Sequence, residues 1–437
     1  MSGANGVEIL RAAIFHTPVG PSADAVALEA FTDGGLAIAE GRIAACGDYS
    51  EVAAVHPHAV VRDLRGGYII PGLIDTHVHF PQVRVLGGIG YSLLDWLERR
   101  ALPEEARLAD VCYATAIARE FVDALVSHGT TAAMVFGSHF AGAMEALFTV
   151  AEQSGLRICS GLVLSDRALL PELHQSPETA YHEGRMLIER FHGKGRLMYA
   201  VMPRFALSAS EAMLETCTAL LREESSLRFT THINENEREI EEVARLFPKS
   251  RDYLNVYERF DLVGPLSVLA HNVHATDAEI GRIAVRGASI ASCPRSNAAL
   301  GSGIFPLRRH VDAGVRCALG TDVGGGTGFG ILQEGLQMYL MQRVAPQPVN
   351  LTPRQLLCLA TRAGAEALGL GEEIGDFEKG KAADLVYLKP PEKGVLAAAL
   401  KRAEDSERVL AALFTLAGTE SVSEVRVAGE VVFRGKA

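Results

Sequence analysis

The sequence predicts a parallel (β/α)8 barrel with a small second sheet built from both ends of the chain. Three observations lead there. A long central stretch alternates short apolar runs with amphipathic helical ones, which is the rhythm of βαβ units. The segments on either side carry strand-and-turn patterns instead. Histidines and acids fall at the ends of several apolar runs, where a barrel of this type keeps its active residues. The expected division is 1–70 for the N-terminal part of the small sheet domain, 71–375 for the barrel, and 376–437 for the C-terminal part of the sheet domain with a helical segment.

Residues 8 to about 68 read as short strands and turns. Leu36 to Gly47 forms two apolar segments around Glu40-Gly41, the pattern of a hairpin. The eight barrel strands are expected at Ile74–His77, Thr130–Phe136, Arg157–Leu164, Leu197–Phe205, Phe229–Asn234, Ser267–His271, Ser289–Cys293 and Cys317–Asp322. Helical stretches lie between them, including Asp110–His128, Glu211–Glu224 and Glu235–Phe247. Gly129, Gly155, Gly287 and Gly314 stand between helix and strand, where a helix-ending glycine belongs. Ile374–Leu388 and Val422–Phe433 read as strands of the small sheet, and 390–418 reads as helical without a place in the fold.

Composition narrows the class. At 437 residues, 48% apolar and 22% charged, the chain can bury a large core. The net charge is -11 with no basic tract, which argues against nucleic acid as a partner but not against a free base. Seven widely spaced cysteines without a CxxC make a disulfide framework or cysteine zinc site unexpected, and point to a reducing cytoplasm. The N-terminus lacks the basic-then-apolar form of a signal peptide, and no apolar run has the length of a membrane span.

The chemistry starts at Ile74-Asp75-Thr76-His77-Val78-His79. On a strand, residues i and i+2 share a face roughly 6.5–7 Å apart at the backbone. Two imidazoles so placed can converge on one metal ion. Later strand ends add Arg204-Phe205, His232 with Asn234-Glu235, His271, and Thr321-Asp322. Any one of these is more often a packing or capping residue, but their joint placement makes a site. The remaining histidines, His16, His56, His58, His128, His139, His174, His182, His192 and His310, take the surface reading; His274 takes a structural one.

This order, His-x-His, His, His, then Thr-Asp, resembles the amidohydrolase superfamily over nearly the full chain. The resemblance implies a (β/α)8 barrel with a small β-sandwich from both termini. Within the superfamily the chain resembles the guanine deaminases. His77-Val-His-Phe-Pro-Gln82, Leu93-Leu-Asp-Trp-Leu97, Pro203-Arg-Phe-Ala-Leu-Ser208, His232-Ile-Asn-Glu-Asn236, Ser292-Cys-Pro-Arg-Ser-Asn297 and Gly320-Thr-Asp-Val-Gly-Gly-Gly326 carry that likeness. The fourth strand has no lysine near its end, only Lys194 before it, so a single metal is expected. The chain also lacks the Pro-Cys-x-x-Cys of the nucleic-acid-editing deaminases.

The resemblance implies that His77, His79, His232 and Asp322 hold the metal, with His271 either a further ligand or a partner of its water. Three imidazoles and a carboxylate suit one divalent ion, Zn2+ or Fe2+, and residue types alone do not choose between them; Zn2+ is the ion expected. Such an ion lowers the pKa of water to ~7. Glu235 is implied to protonate the ring nitrogen beside the attacked carbon, and Asp322 to carry a proton toward the departing ammonia. Arg204 offers fixed donors to a six-position carbonyl, Gln82 suits the neighbouring base edge, and Phe205 and Trp96 can stack on the ring. A homodimer is implied as the assembly.

The function expected is hydrolysis of guanine to xanthine and ammonia. The nearest alternative is another six-oxo purine or a pterin, such as 8-oxoguanine or isoxanthopterin. Adenine fits the Arg204 donors poorly. Cyclic amide hydrolysis, as in dihydroorotase-like relatives, does not explain Gln82 with Pro203-Arg204-Phe205. A scaffold without catalysis does not explain a full ligand set.

Overall fold

The computed structural model describes residues 6–18 and 26–435. Its strands form two sheets. The N-terminal strands are β1 (Glu8–His16), β2 (Glu29–Ala39), β3 (Arg42–Asp48) and β4 (Val60–Pro71). The barrel strands are β5 (Leu73–His79), β6 (Thr130–Phe136), β7 (Arg157–Ser160), the short β8 (Val163–Leu164), β9 (Leu197–Pro203), β10 (Arg228–Ile233), β11 (Ser267–His271), β12 (Ser289–Ser292) and β13 (Arg316–Leu319). The chain closes with β14 (Leu385–Leu388), β15 (Val422–Val427) and β16 (Glu430–Arg434).

The barrel strands pair in parallel in chain order from β5 to β13. Both of their faces are covered, so they read as unbroken apolar runs rather than alternating ones. That is why eight runs could be located from sequence. One run splits: after β7 the chain steps at Gly161, where a Cβ would lie 2.0 Å from the Ala200 carbonyl oxygen, and β8 then pairs with the end of β9. The four glycines expected between helix and strand all have positive φ, from 71° to 86°, a conformation glycine adopts at no steric cost.

The second sheet has the order β16-β15-β14-β4-β1-β2-β3 and is mainly antiparallel. The β2–β3 hairpin turns through Glu40 and Gly41, both at positive φ, the two-residue turn whose twist matches paired strands. Ile374–Leu388 is strand only over Leu385–Leu388; the residues before it form turns around the buried Lys381–Asp376 pair at 2.6 Å. The 390–418 segment forms helices Val395–Lys401 and Ser406–Leu416. The second docks on helix Ile331–Val344, where Gln333 Nε2 donates to the Ala417 carbonyl at 2.7 Å. The two sheets meet where β4 runs into β5: Gly72 N–H donates to the Asp384 carbonyl, and Arg157 Nε donates to the Asp384 carboxylate at 2.8 Å.

Barrel closure between β13 and β5 is made largely by side chains. Asp75, fully buried, accepts from the backbone N–H groups of His77 and Thr321 and from the Thr321 hydroxyl. The Thr76 hydroxyl donates to the Leu319 carbonyl at 2.8 Å, and Asp322 N–H donates to the His77 carbonyl at 2.8 Å. Burial pushes the Asp75 carboxyl up to about 7 against those hydrogen bonds. No helix among the described residues is long and apolar enough to cross a membrane.

Candidate active site

The site forms at the C-terminal ends of the barrel strands. β5 delivers His77 and His79, the end of β10 His232, and the turn after β13 Asp322. Their ligand atoms lie within 4.8 Å of one another, and all four residues are buried. Asp322 Oδ1 is 3.3 Å from His77 Nε2 and 3.2 Å from His79 Nε2, and the His79 and His232 Nε2 atoms are 3.1 Å apart. A tetrahedral ion with bonds of ~2.0–2.1 Å sets its ligands roughly 3.3–3.4 Å apart, so the donors fit one divalent ion. Neither ring nitrogen of His77 has a hydrogen-bond partner, a costly state for buried polar atoms unless a ligand meets them.

The tautomer of His232 agrees with that fit. His232 Nδ1 donates to the Arg204 carbonyl oxygen at 2.6 Å, which leaves the Nε2 lone pair facing the other ligands. Burial drives the His77 pKa down to about 4 and that of His232 well below its ordinary value, so both rings are neutral donors. Burial works to raise Asp322, but His77 and His79 outweigh it and hold the carboxyl well below the usual range. His271 and Asp322 also carry positive φ, 71° and 48°. Such backbone strain costs about 1–3 kcal/mol per residue and persists where the surroundings fix it.

His271, left open between two roles by the sequence, stands outside the four-residue set but groups with His77 and Cys293 in a second one. Its Nδ1 lies 3.0 Å from Asn297 Oδ1, so Nδ1 carries the hydrogen. Its Nε2 faces Glu235 Oε2 at 3.5 Å and Asp322 Oδ2 at 3.9 Å. Burial works to lower its pKa, but the two carboxylates raise it on balance. Glu235 is buried, accepts at Oε1 from the Ser302 hydroxyl, and is pushed by burial up to about 7.

Gln82, Trp96, Arg204, Phe205 and Glu235 line one pocket with His79, His232 and Asp322. Leu93, Leu97 and Leu300 complete its apolar walls. Trp96, equally readable as core from sequence, belongs both to that pocket and to the apolar cluster around Phe205.

Three histidines given the surface reading are buried instead: His16, His139 and His310. His310 donates from Nδ1 to the Pro306 carbonyl and accepts at Nε2 from Asn272, and His16 packs on Phe377. His139 sits 3.7 Å from Glu105. Local sequence gave no sign of these settings, because Asn272, Phe377 and Glu105 come from distant segments. The sequence also missed Glu105. It adjoins Glu104 in the helix Leu102–Ala106, and the two look alike in sequence. Glu104 turns to Tyr113 and Arg107, whereas Glu105 is buried against Gln82 and Arg204. A π-turn over Leu97–Ala101 precedes that helix, a feature frequent beside functional sites.

The chain is similar to known proteins along its length. The Amidohydrolase family profile matches residues 68–432. The chain is 57% identical to a probable guanine deaminase of Deinococcus radiodurans, across 99% of this chain and 100% of that protein. It superposes on the E. coli guanine deaminase structure with a TM-score of 0.94 at 33% identity, covering 99% of this chain and all of that one. A guanine deaminase of C. acetobutylicum with guanine bound in its active site superposes with a TM-score of 0.89 at 25% identity, over 98% of this chain and 100% of the other. The chain belongs to the amidohydrolase family, and the three relatives named above, matched over 98–99% of this chain, are guanine deaminases or a probable one.

Proposed function

We propose that the chain is a metal-dependent guanine aminohydrolase, converting guanine and water to xanthine and ammonia. One observation carries the reading. Four buried residues able to hold one metal ion converge beside a pocket walled by Trp96, Phe205 and leucines, with the buried Arg204, Gln82 and Glu235 in its lining. Guanine presents a flat ring, a six-position carbonyl and an amine at the carbon to be attacked.

When bound, the metal supplies the Lewis acid that makes water a nucleophile near neutral pH; the donor set suits Zn2+, with Fe2+ as the alternative. Phe205, Trp96 and the leucines sandwich the base. Arg204 donates to the carbonyl and stabilises charge that develops on the ring, while Gln82 meets the neighbouring edge. Glu235 holds its proton near neutrality and gives it from Oε2 to the ring nitrogen beside the attacked carbon. Ser302 occupies the other oxygen, which supports that choice. Asp322 Oδ1 is turned to His77 and His79, leaving Oδ2 to carry the water's proton to the amine. The C–O bond forms, the C–N bond breaks as the amine leaves with that proton as ammonia, and the remaining hydroxyl proton returns to Glu235 as the new carbonyl forms.

8-Oxoguanine and isoxanthopterin offer the same carbonyl edge and form the second reading. A cytoplasmic setting is supported by seven free cysteines, five of them buried. A homodimer is proposed from the family likeness, and sedimentation tests it. The deciding experiment measures ammonia release from guanine, 8-oxoguanine, isoxanthopterin, adenine and cytosine, with metal content on the same sample. Guanine is expected to turn over fastest. A metal-loaded sample that releases no ammonia from guanine would sink the proposal.

A further inference from the structure

The residues that would read the base are not independent of each other. Gln82 Nε2 donates to Glu105 Oε1 at 2.7 Å, and Arg204 Nη1 donates to Glu105 Oε2 at 2.6 Å. One carboxylate therefore joins a side chain from the turn after β5 to one at the end of β9. Glu105 is buried and does not line the pocket itself. We propose that Glu105 is a positioning residue for base recognition, a clasp that fixes the amide of Gln82 and the guanidinium of Arg204 relative to each other. The proposal rests on the reading that Gln82 and Arg204 contact the base.

The chemistry of a carboxylate makes the clasp specific. Ionised Glu105 is an acceptor at both oxygens, so Gln82 must present its NH2 and not its carbonyl. The orientation of the amide, and with it the polarity offered to a bound base, is set from behind. Gln82 Oε1 is then left buried without a hydrogen-bond partner, beside Gly324, where a Cβ would lie 2.2 Å away. Arg204 in turn spends one arm on Glu105 and keeps its remaining donors. Burial raises the Glu105 pKa, yet Arg204, His139 and His79 together hold it below its ordinary value, so the acceptor form persists. A neutral amide at this position has one acceptor and one donor end, and can satisfy only one of the two partners.

The test is a pair of double-mutant cycles read as kcat/KM for guanine, with metal content recorded for every variant. The variants are E105Q, Q82A and R204K, with E105Q combined in turn with each of the others. E105Q is expected to keep its metal and lose about 10–100-fold in kcat/KM. Each combination is expected to fall short of the product of its single losses by at least about 5-fold, because the shared clasp is lost only once. A nearly normal E105Q, or losses that multiply fully in either cycle, would overturn the proposal. Full activity in Q82A and R204K would instead reject the base-contact reading beneath it. If E105Q does not fold, E105D carries the same cycles, since it keeps the charge but lacks the reach to hold both partners.

Discussion

The backbone N–H of Asp322 donates to the carbonyl oxygen of His77 at 2.8 Å. With the Thr76–Leu319 and Asp75–Thr321 bonds, it ties the last barrel strand to the first and sets two of the four candidate metal ligands side by side. The same seam thus serves both barrel closure and the site. Gly320 lies in the same seam, where a Cβ would come within 2.8–3.0 Å of the His77 side chain and backbone. Gly320→Ala should force the seam apart, lowering metal content and the thermal unfolding midpoint together. Full metal occupancy in that variant would separate closure from metal binding.

Glu235→Gln keeps the shape of the side chain and its contact with Ser302 but cannot deliver a proton. It should retain metal and slow ammonia release by roughly 10²–10⁴-fold, the range of general acid–base assistance. Steady-state assays beside metal analysis check this, and near-normal turnover would remove Glu235 from the mechanism.

Arg204→Ala reads differently from structure than from sequence. Sequence alone expects a loss of turnover with the fold spared. The Arg204–Glu105 pair is almost wholly buried, so removing the guanidinium leaves a carboxylate without its counter-charge. About 3–5 kcal/mol of stability should go with it, alongside the loss in guanine kcat/KM. Denaturant unfolding compared with wild type measures the first. An unchanged midpoint would mean that Glu105 does not depend on this partner.

His310 should contribute to acid sensitivity. Burial holds its folded pKa near 4, against an ordinary value of 6.5. Its Nε2 accepts from Asn272, and protonation would set two donors face to face. Between those two values the unfolded chain binds a proton that the folded chain refuses, so stability rises with pH through the window and falls on acidification. The full effect is about 3 kcal/mol by pH 4. His310→Gln cannot gain the charge, and its unfolding free energy should decline less steeply from pH 6.5 to 4. Equal slopes would exclude His310 as a source.

What the sequence determined by itself is what short-range pattern can encode. Strands buried on both faces appear as apolar runs, so the barrel was legible. His77 and His79 share a strand face, and His232, Asp322 and Glu235 follow recognisable strand ends. The tertiary structure decided the rest. Glu105 and Arg204 are 99 positions apart, and neither helical nor strand periodicity registers such a pair. It also set the adjacent acids Glu104 and Glu105 in different surroundings, placed His271 between Asn297 and Glu235, and buried His139 beside Glu105. Those outcomes depend on where side chains converge across a closed barrel. That convergence is fixed by packing and desolvation among distant segments, not by the residues next to each one in the chain.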